Sequence, residues 1–273
     1  MPETAAVPRD PALVEAPVRA CQAAADSVVR LRLHAPQIID RAVPGQFVMA
    51  GPLRPGCHDP FLNRPLSIHR EVGGGQLDLL VGVVGRGTRM LASLQDGAVL
   101  PLLGPLGRGF SVPHAANPVL LVAGGLGVAP LVFLGERLAV AGRRPLLLMG
   151  AASQGGLLEA APLRRAGLEV RQATDDGTAG FHGTVVDLLE HTLAKLRADP
   201  AQAFLAACGP LPMMRAVHRL ARDRGLALEV SLESRMACGV GACLGCSLFS
   251  AHGIPRRVCA DGPVFDSREV FGS

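Results

Sequence analysis

Tyrosine and tryptophan are both absent from the 273 residues, and phenylalanine occurs nine times. Any ring that this protein stacks must therefore lie against Phe, aliphatic side chains or backbone. A large excess of either charge is also missing. The 27 basic and 23 acidic groups leave a formal +4, which gives no electrostatic reason to expect nucleic acid or a membrane surface. Met1 to Pro17 carries Glu3, Asp10 and Glu15 but no basic region followed by an apolar core, so no signal peptide is legible. An uncharged run from Asn117 to Gly135 has the length of a membrane span. Pro118, Pro130 and the glycines at 124, 125 and 127 inside it read instead as strand, turn and helix start. Seven cysteines without an export signal point to a reducing compartment, so a cytoplasmic location is expected. The histidines, among them His58, His69 and His114, share no metal-ligand spacing, and there is no internal repeat or low-complexity tract.

What is present is mostly apolar. A 49% hydrophobic content over this length allows two domains with real cores plus a small appended module. Met1 to Ala16, rich in Pro and Ala, reads as a frayed lead-in. From Pro17 to about Val112, short apolar runs alternate with Gly/Pro turns, as in Val28–Leu33, Gln46–Met49 and Leu77–Val84. That pattern predicts a small antiparallel β-barrel, with a helix at Thr88–Leu94. From Pro113 the signature changes. Continuous apolar runs at Val119–Ala123, Leu146–Met149 and Phe204–Ala207 suit parallel strands buried on both faces. Strand-like Glu169–Ala173 lies among them, with helix-like stretches between, which predicts a doubly wound α/β domain. The expected class is β plus α/β, divided as 17–112, 113–228 and a C-terminal loop module at 229–273.

Several segments have the composition of ligand sites. Gly124-Gly125-Leu126-Gly127-Val128-Ala129-Pro130 ends a buried strand and opens a helix, so bare N–H groups face a prospective phosphate. Cys208-Gly209-Pro210 and Thr174-Asp175-Asp176-Gly177 also follow strands, at the edge where open α/β sheets bind ligands. A buried structural cysteine and an acidic turn are the simpler alternatives. In the barrel half, Arg64-Pro65-Leu66-Ser67 offers a guanidinium fork and a hydroxyl, and Gly85-Arg86-Gly87-Thr88 offers backbone N–H groups; either could equally be a surface turn. No acid–base constellation for carbon chemistry stands out.

Cys238, Cys243, Cys246 and Cys259 are spaced C-x4-C-x2-C-x12-C, with Gly239, Gly241 and Gly245 between them. The first three match the C-x4-C-x2-C spacing of plant-type [2Fe–2S] sites. A structural zinc also takes four thiolates, but from two separated C-x2-C-like pairs. Paired disulfides would need an exported chain. Iron–sulfur is the favoured reading, with zinc left open.

Taken in order, these segments resemble the ferredoxin-reductase-like flavoproteins, and more closely the family of electron-transfer subunits of class B dihydroorotate dehydrogenase. The motifs run from Pro44-Gly45-Gln46-Phe47 through Gly104-Pro105-Leu106-Gly107 to Cys259-Ala260-Asp261-Gly262-Pro263-Val264-Phe265, nearly the whole chain. The resemblance implies FAD in the barrel, with Arg64, Pro65, Leu66 and Ser67 along flavin and pyrophosphate and with Gly87 and Thr88 on phosphate. It implies NAD at Gly124, Gly125, Gly127, Ala129 and Pro130, with Cys208, Gly209 and Pro210 near the nicotinamide. The four cysteines would hold a [2Fe–2S] cluster. Where relatives usually carry an aromatic and a basic residue, this chain has Leu80-Val81-Gly82, leaving backbone or aliphatic contacts there. NAD is favoured over NADP because Gly150-Ala151-Ala152-Ser153 lacks an arginine, although Arg143 and Arg144 are near in sequence. The implied partner is an FMN-containing, dihydroorotate-oxidising catalytic subunit, in a heterotetramer of two of each. The alternatives are a reductase subunit serving ferredoxin, sulfide dehydrogenase or hydrogenase, and a zinc-stapled binding protein without redox chemistry.

Overall fold

A computed structural model describes residues 11–51, 59–113, 116–196 and 203–272. His58 and His114 lie outside these residues. The first half is a closed antiparallel barrel. Its strands are β1 (Ala12–Ala25), β2 (Val28–His34), β3 (Phe47–Ala50), β4 (Arg64–Gly73), β5 (Gln76–Gly82) and β6 (Val99–Leu106), ordered β1-β2-β5-β4-β3-β6. Two short helices serve it, α1 (Pro36–Ile39) and α2 (Arg86–Ala92). Alternation fills the interior: Leu31 and Leu33 on β2 and Leu77, Leu79 and Val81 on β5 are buried in the barrel core. The intervening Arg32 points outward and grips the buried Asp78 carboxylate through two nitrogens at 2.8 and 2.9 Å.

The expected lead-in to Ala16 is corrected by β1, which starts at Ala12. Residues 12–17 pair with β6 and residues 18–25 with β2, so the segment closes the barrel. Pro17 sits where the strand passes from one partner to the other, and there its missing N–H costs little.

The second half is a seven-stranded sheet ordered β10-β9-β8-β7-β11-β12-β15. In chain order its elements are β7 (Val119–Gly124), α3 (Val128–Val140), β8 (Leu146–Ala151), α4 (Ala160–Arg165), β9 (Glu169–Thr174), β10 (Phe181–His182) and α5 (Val185–Lys195). There follow β11 (Phe204–Cys208), α6 (Leu211–Asp223) and β12 (Ala227–Ser231). Leu120 and Val122 pack on the face covered by α5 and α6, whereas Leu121 and Ala123 pack on the face covered by α3 and α4. Burial on both faces is why these strands are unbroken apolar runs. The order reverses between β7 and β11, the switch point at which such sheets open a ligand crevice.

The last segment carries the hairpin β13 (Ser247–Phe249) and β14 (Pro255–Arg257), then β15 (Val264–Asp266) and α7 (Ser267–Phe271). β15 returns to the main sheet, antiparallel beside β12.

Helix α3 locks the halves together. Its Phe133 is 1% exposed and completes the barrel core. Glu136 and Arg137 pair with Arg70 and Glu71 of β4 at 2.5 and 2.7 Å. Beneath them His69 is fully buried, with Nδ1 3.3 Å from the Ala129 carbonyl. Burial, reinforced by the Arg70 charge, pushes its imidazole down to about 4. Unfolded histidine titrates near 6.5, so the unfolded chain binds the extra proton first. Stability is full above the unfolded value and is lost as pH falls toward the folded one. Denaturant unfolding should show about 2 kcal/mol less stability at pH 5 than at pH 7 from this group. His69→Gln should remove that part of the pH slope.

Candidate functional site

The glycine turn after β7 is built by close approach. Gly125 sits at φ +53°, and a Cβ on Gly127 would fall 2.1 Å from the Cys208 carbonyl oxygen at the end of β11. The turn therefore presses against the neighbouring strand across the switch point. No side chain caps the glycine turn or the first turn of α3, and the Val128 N–H already donates to the Gly125 carbonyl, so the N–H groups left to an anion are those of the turn itself. Pro130 lies in that first turn and is buried with Ala129.

Three cavities converge on this turn. One of about 470 Å³ runs over the ends of β7, β8 and β9, past Gly124, Gly125, Ala151 and Asp175. A second, of about 610 Å³, joins the turn to Gly209, Pro210, Glu233 and Ser234 and reaches Phe249. The third, of about 190 Å³, lies between barrel and sheet and is bounded by Pro65, Leu66, Ser67, Leu80, Gly82, Thr88 and Ala129. The structure thus gathers the barrel motifs and the glycine turn around one cleft.

Within the barrel, the Arg64 guanidinium lies so close over Gly87 that a Cβ there would sit 2.2 Å from a nitrogen. Thr88 Oγ1 accepts from the Val84 and Gly85 N–H groups at 3.0 Å and ties down the turn. Leu80 and Gly82 face the cleft, but Val81 points into the barrel core and its side chain takes no part. Strand alternation explains the correction. Phe47 borders the small cavity and supplies an aromatic edge in a chain without Tyr or Trp.

Cys208 is placed differently from its neighbours. Its thiol is buried in the sheet core, and burial together with the Glu233 charge pushes it up. Gly209 and Pro210 line the cleft instead. Glu233 and Ser234 carry no recognisable motif of their own in the sequence, yet both border two cavities. Burial raises the Glu233 carboxyl above the usual range. Their signal was position alone, just beyond a strand end.

The cysteine loop packs on the same cleft through Met236 and Pro263. Hairpin β13–β14 pairs Ser247 with Arg257 and thereby brings Cys246 and Cys259 together, Sγ to Sγ 3.3 Å. Backbone N–H groups aim at sulfur: Gly241 at Cys259 (3.1 Å), Cys243 at Cys238 (3.4 Å) and Gly245 at Cys243 (3.5 Å). Gly239 and Gly241, at φ +72° and +81°, make that curvature possible. Burial opposes ionisation of Cys238, but the N–H groups of Cys243, Val240 and Ala242 outweigh it and draw the thiol down to about 6. Cys259 is pushed up to about 12 by burial and by Cys246. The thiols form two pairs. Among the described residues, no three His, Cys, Asp or Glu side chains gather to hold a metal ion. Two thiolates per iron is the donor set of a [2Fe–2S] centre, so the residues present fit that group.

Residues 233–271 match the family described as the iron–sulfur cluster binding domain of dihydroorotate dehydrogenase B. Over 261 residues the chain is 40% identical to the dihydroorotate dehydrogenase B (NAD(+)) electron transfer subunit of Desulforamulus reducens, covering 94% of this chain and 97% of that one. It is 37% identical to the subunit of the same name from Geobacillus thermodenitrificans, covering 90% and 93%. Among solved structures, an NADH-dependent reduced ferredoxin-NADP oxidoreductase described for flavin-based electron bifurcation aligns with a TM-score of 0.81 at 27% identity, covering 94% of this chain and 90% of that one. A Neisseria gonorrhoeae ferredoxin NADP+ reductase with bound FAD and NADP shares the fold, at a TM-score of 0.65 and 17% identity over 78% of this chain and 92% of that one.

Proposed function

Because this chain belongs to the family of electron-transfer subunits of dihydroorotate dehydrogenase B, we propose that it links dihydroorotate oxidation on a partner subunit to NAD⁺ through a [2Fe–2S] cluster and FAD. The observation that carries this is the placement of the paired thiols, whose loop shares Met236 and Pro263 with the cleft at the barrel–sheet junction. When bound, FAD exchanges hydride with nicotinamide and single electrons with an iron–sulfur centre, which is why it belongs between them.

The residues divide the work. On the barrel side, Arg64 and the N–H groups of Gly87 and Thr88 would hold the flavin's phosphates, and Pro65, Leu66, Ser67, Leu80 and Gly82 would line its ring through polar, aliphatic and backbone contacts. On the sheet side, Gly124, Gly125 and Gly127 with the start of α3 hold the dinucleotide's diphosphate, and Gly209 and Pro210 bound the nicotinamide. Cys238 and Cys243 would hold one iron, and Cys246 and Cys259 the other. The barrel occupies about 17–112 with β1 extending to Ala12, the nucleotide domain 113–228 and the cluster module 229–273.

The partner is an FMN-containing catalytic subunit, assembled as two of each. Cys243 is exposed, and Val240, Leu244, Phe249 and Ile254 near it in sequence leave their apolar side chains in solvent. That is the composition of a docking face, which supports a partner seated over the cluster loop. Copurification from the native host, with iron and flavin analysis, tests the scheme. The expected complex oxidises dihydroorotate and holds roughly two irons per cluster-bearing chain. A colourless, iron-free holoprotein defeats the proposal, and a partner that oxidises another substrate reassigns the chain to a related reductase.

A further inference from the structure

The turn between β1 and β2 is a two-residue reversal, Asp26–Ser27, with Ser27 at φ +55°. It reaches out of the barrel and over the end of β8. Asp26 N–H donates to the Gly155 carbonyl at 2.7 Å. Its carboxylate lies across Gly155 so closely that a Cβ there would be 1.9 Å from Oδ2. Among the described residues no donor pairs with that carboxylate, so its acceptor capacity is open.

Asp26 and Ala25 form one wall of the 470 Å³ cavity. The opposite wall is Gly150, Ala151 and Ala152, and the lining includes a second carboxylate, Asp175, but no arginine, lysine or histidine. At one end the cavity meets Gly124 and Gly125, which hold diphosphate in the proposed function on which this inference rests. The nicotinamide arm must run toward Gly209, Pro210 and the barrel cleft, so the adenosine arm is left with this cavity. Val28, Leu158 and Val185 give it apolar surface for a purine. In many dinucleotide sites an acidic residue about 20 positions beyond the glycine motif bonds the ribose 2′-hydroxyl. Here Gly150-Ala151-Ala152-Ser153 provides none.

We infer that Asp26, contributed by the barrel, receives the adenosine ribose hydroxyls and excludes a 2′-phosphate, so that the choice of NAD over NADP is made by a residue outside the nucleotide-binding sheet. A hydroxyl donating to a carboxylate forms a charge-assisted hydrogen bond. A 2′-phosphate would instead face two carboxylates without a counter-ion.

The test uses the full-length, FAD-loaded chain with an artificial dye, comparing NADH with NADPH, and calorimetric binding of ADP against adenosine 2′,5′-bisphosphate. Asp26→Ala should raise KM for NADH about tenfold and cut the NADH-over-NADPH preference by at least that factor. Asp26→Asn retains an acceptor without charge, so KM for NADH should move about threefold or less while the preference still falls. Adenosine 2′,5′-bisphosphate should tighten relative to ADP in both variants. An unchanged preference, or equal losses for both cofactors with a lowered Tm, overturns the inference and leaves Asp26 as a latch between barrel and sheet. Ala152→Phe, which fills the cavity from an exposed position, separates the two levels. If it leaves KM for NADH unchanged, the dinucleotide does not use this cavity and the underlying assignment fails. If it weakens NADH while the Asp26 variants keep the preference, only the inference about Asp26 is lost.

Discussion

Gly127→Ala is expected to reduce NADH-driven dye reduction at least a hundredfold while the barrel keeps its flavin. The added Cβ would stand 2.1 Å from the Cys208 carbonyl oxygen, 2.3 Å from its carbon and 2.6 Å from the Gly209 nitrogen. All three are backbone atoms at or just beyond the end of β11, so no rotamer change relieves the contact. Either the turn or the end of β11 must shift, and both border the cleft. Overpacking of this kind costs about 1–3 kcal/mol in stability, and displacement by roughly an ångström costs about a hundredfold in rate where positioning matters. Gly125→Ala is the comparison. No atom lies within 4 Å of its Cβ, but its φ of +53° imposes strain of about 1–2 kcal/mol, so its effect should be smaller and fall mainly on Tm. Steady-state kinetics, Tm and flavin content together separate the outcomes. Normal NADH kinetics in Gly127→Ala would remove the turn from the dinucleotide site.

Cys243→Ala is expected to abolish partner-linked NAD⁺ reduction and leave NADH oxidation by an artificial dye largely intact. The side chain is exposed, so its truncation opens no core cavity and costs the fold little. Its sulfur accepts from Gly245 N–H at 3.5 Å; alanine offers no donor for iron. Iron content and the visible bands of the cluster should disappear while the flavin spectrum stays. Loss of both activities together would mean that the cluster also staples the module to the barrel. The corresponding change at Cys246 or Cys259 cannot distinguish these cases, because both are buried at 2–3% exposure and their loss perturbs packing as well.

The sheet was legible where burial dictates composition. Val119–Gly124, Leu146–Ala151 and Phe204–Cys208 are strands within a residue or two of their apolar runs, because a strand covered on both faces has no room for polar side chains. The cysteine spacing was legible as a loop for the same kind of reason, since donor number and glycine placement are local. What required tertiary context was less visible. Residues 12–16 read as a tail because their stabilising partner, β6, lies some ninety residues away. Val81 was grouped with Leu80 and Gly82, although strand alternation turns it inward. Asp26 carries no motif at all; only the docking of one hairpin on Gly155 brings it to the nucleotide cavity. Glu233 and Ser234 gain their setting from three segments meeting, which no local pattern encodes.

The return of β15 to the sheet fixes how the carriers can move. Chain leaving the cysteine loop is sewn beside β12, while Arg108 N–H donates to the Gly262 carbonyl at 2.6 Å and Gly239 abuts Met49 of the barrel. Among the described residues nothing resembles a swinging arm. The gaps that electrons must tunnel across are built into a rigid frame, so thickening the solvent with glycerol should slow encounters with NADH but not exchange inside the subunit.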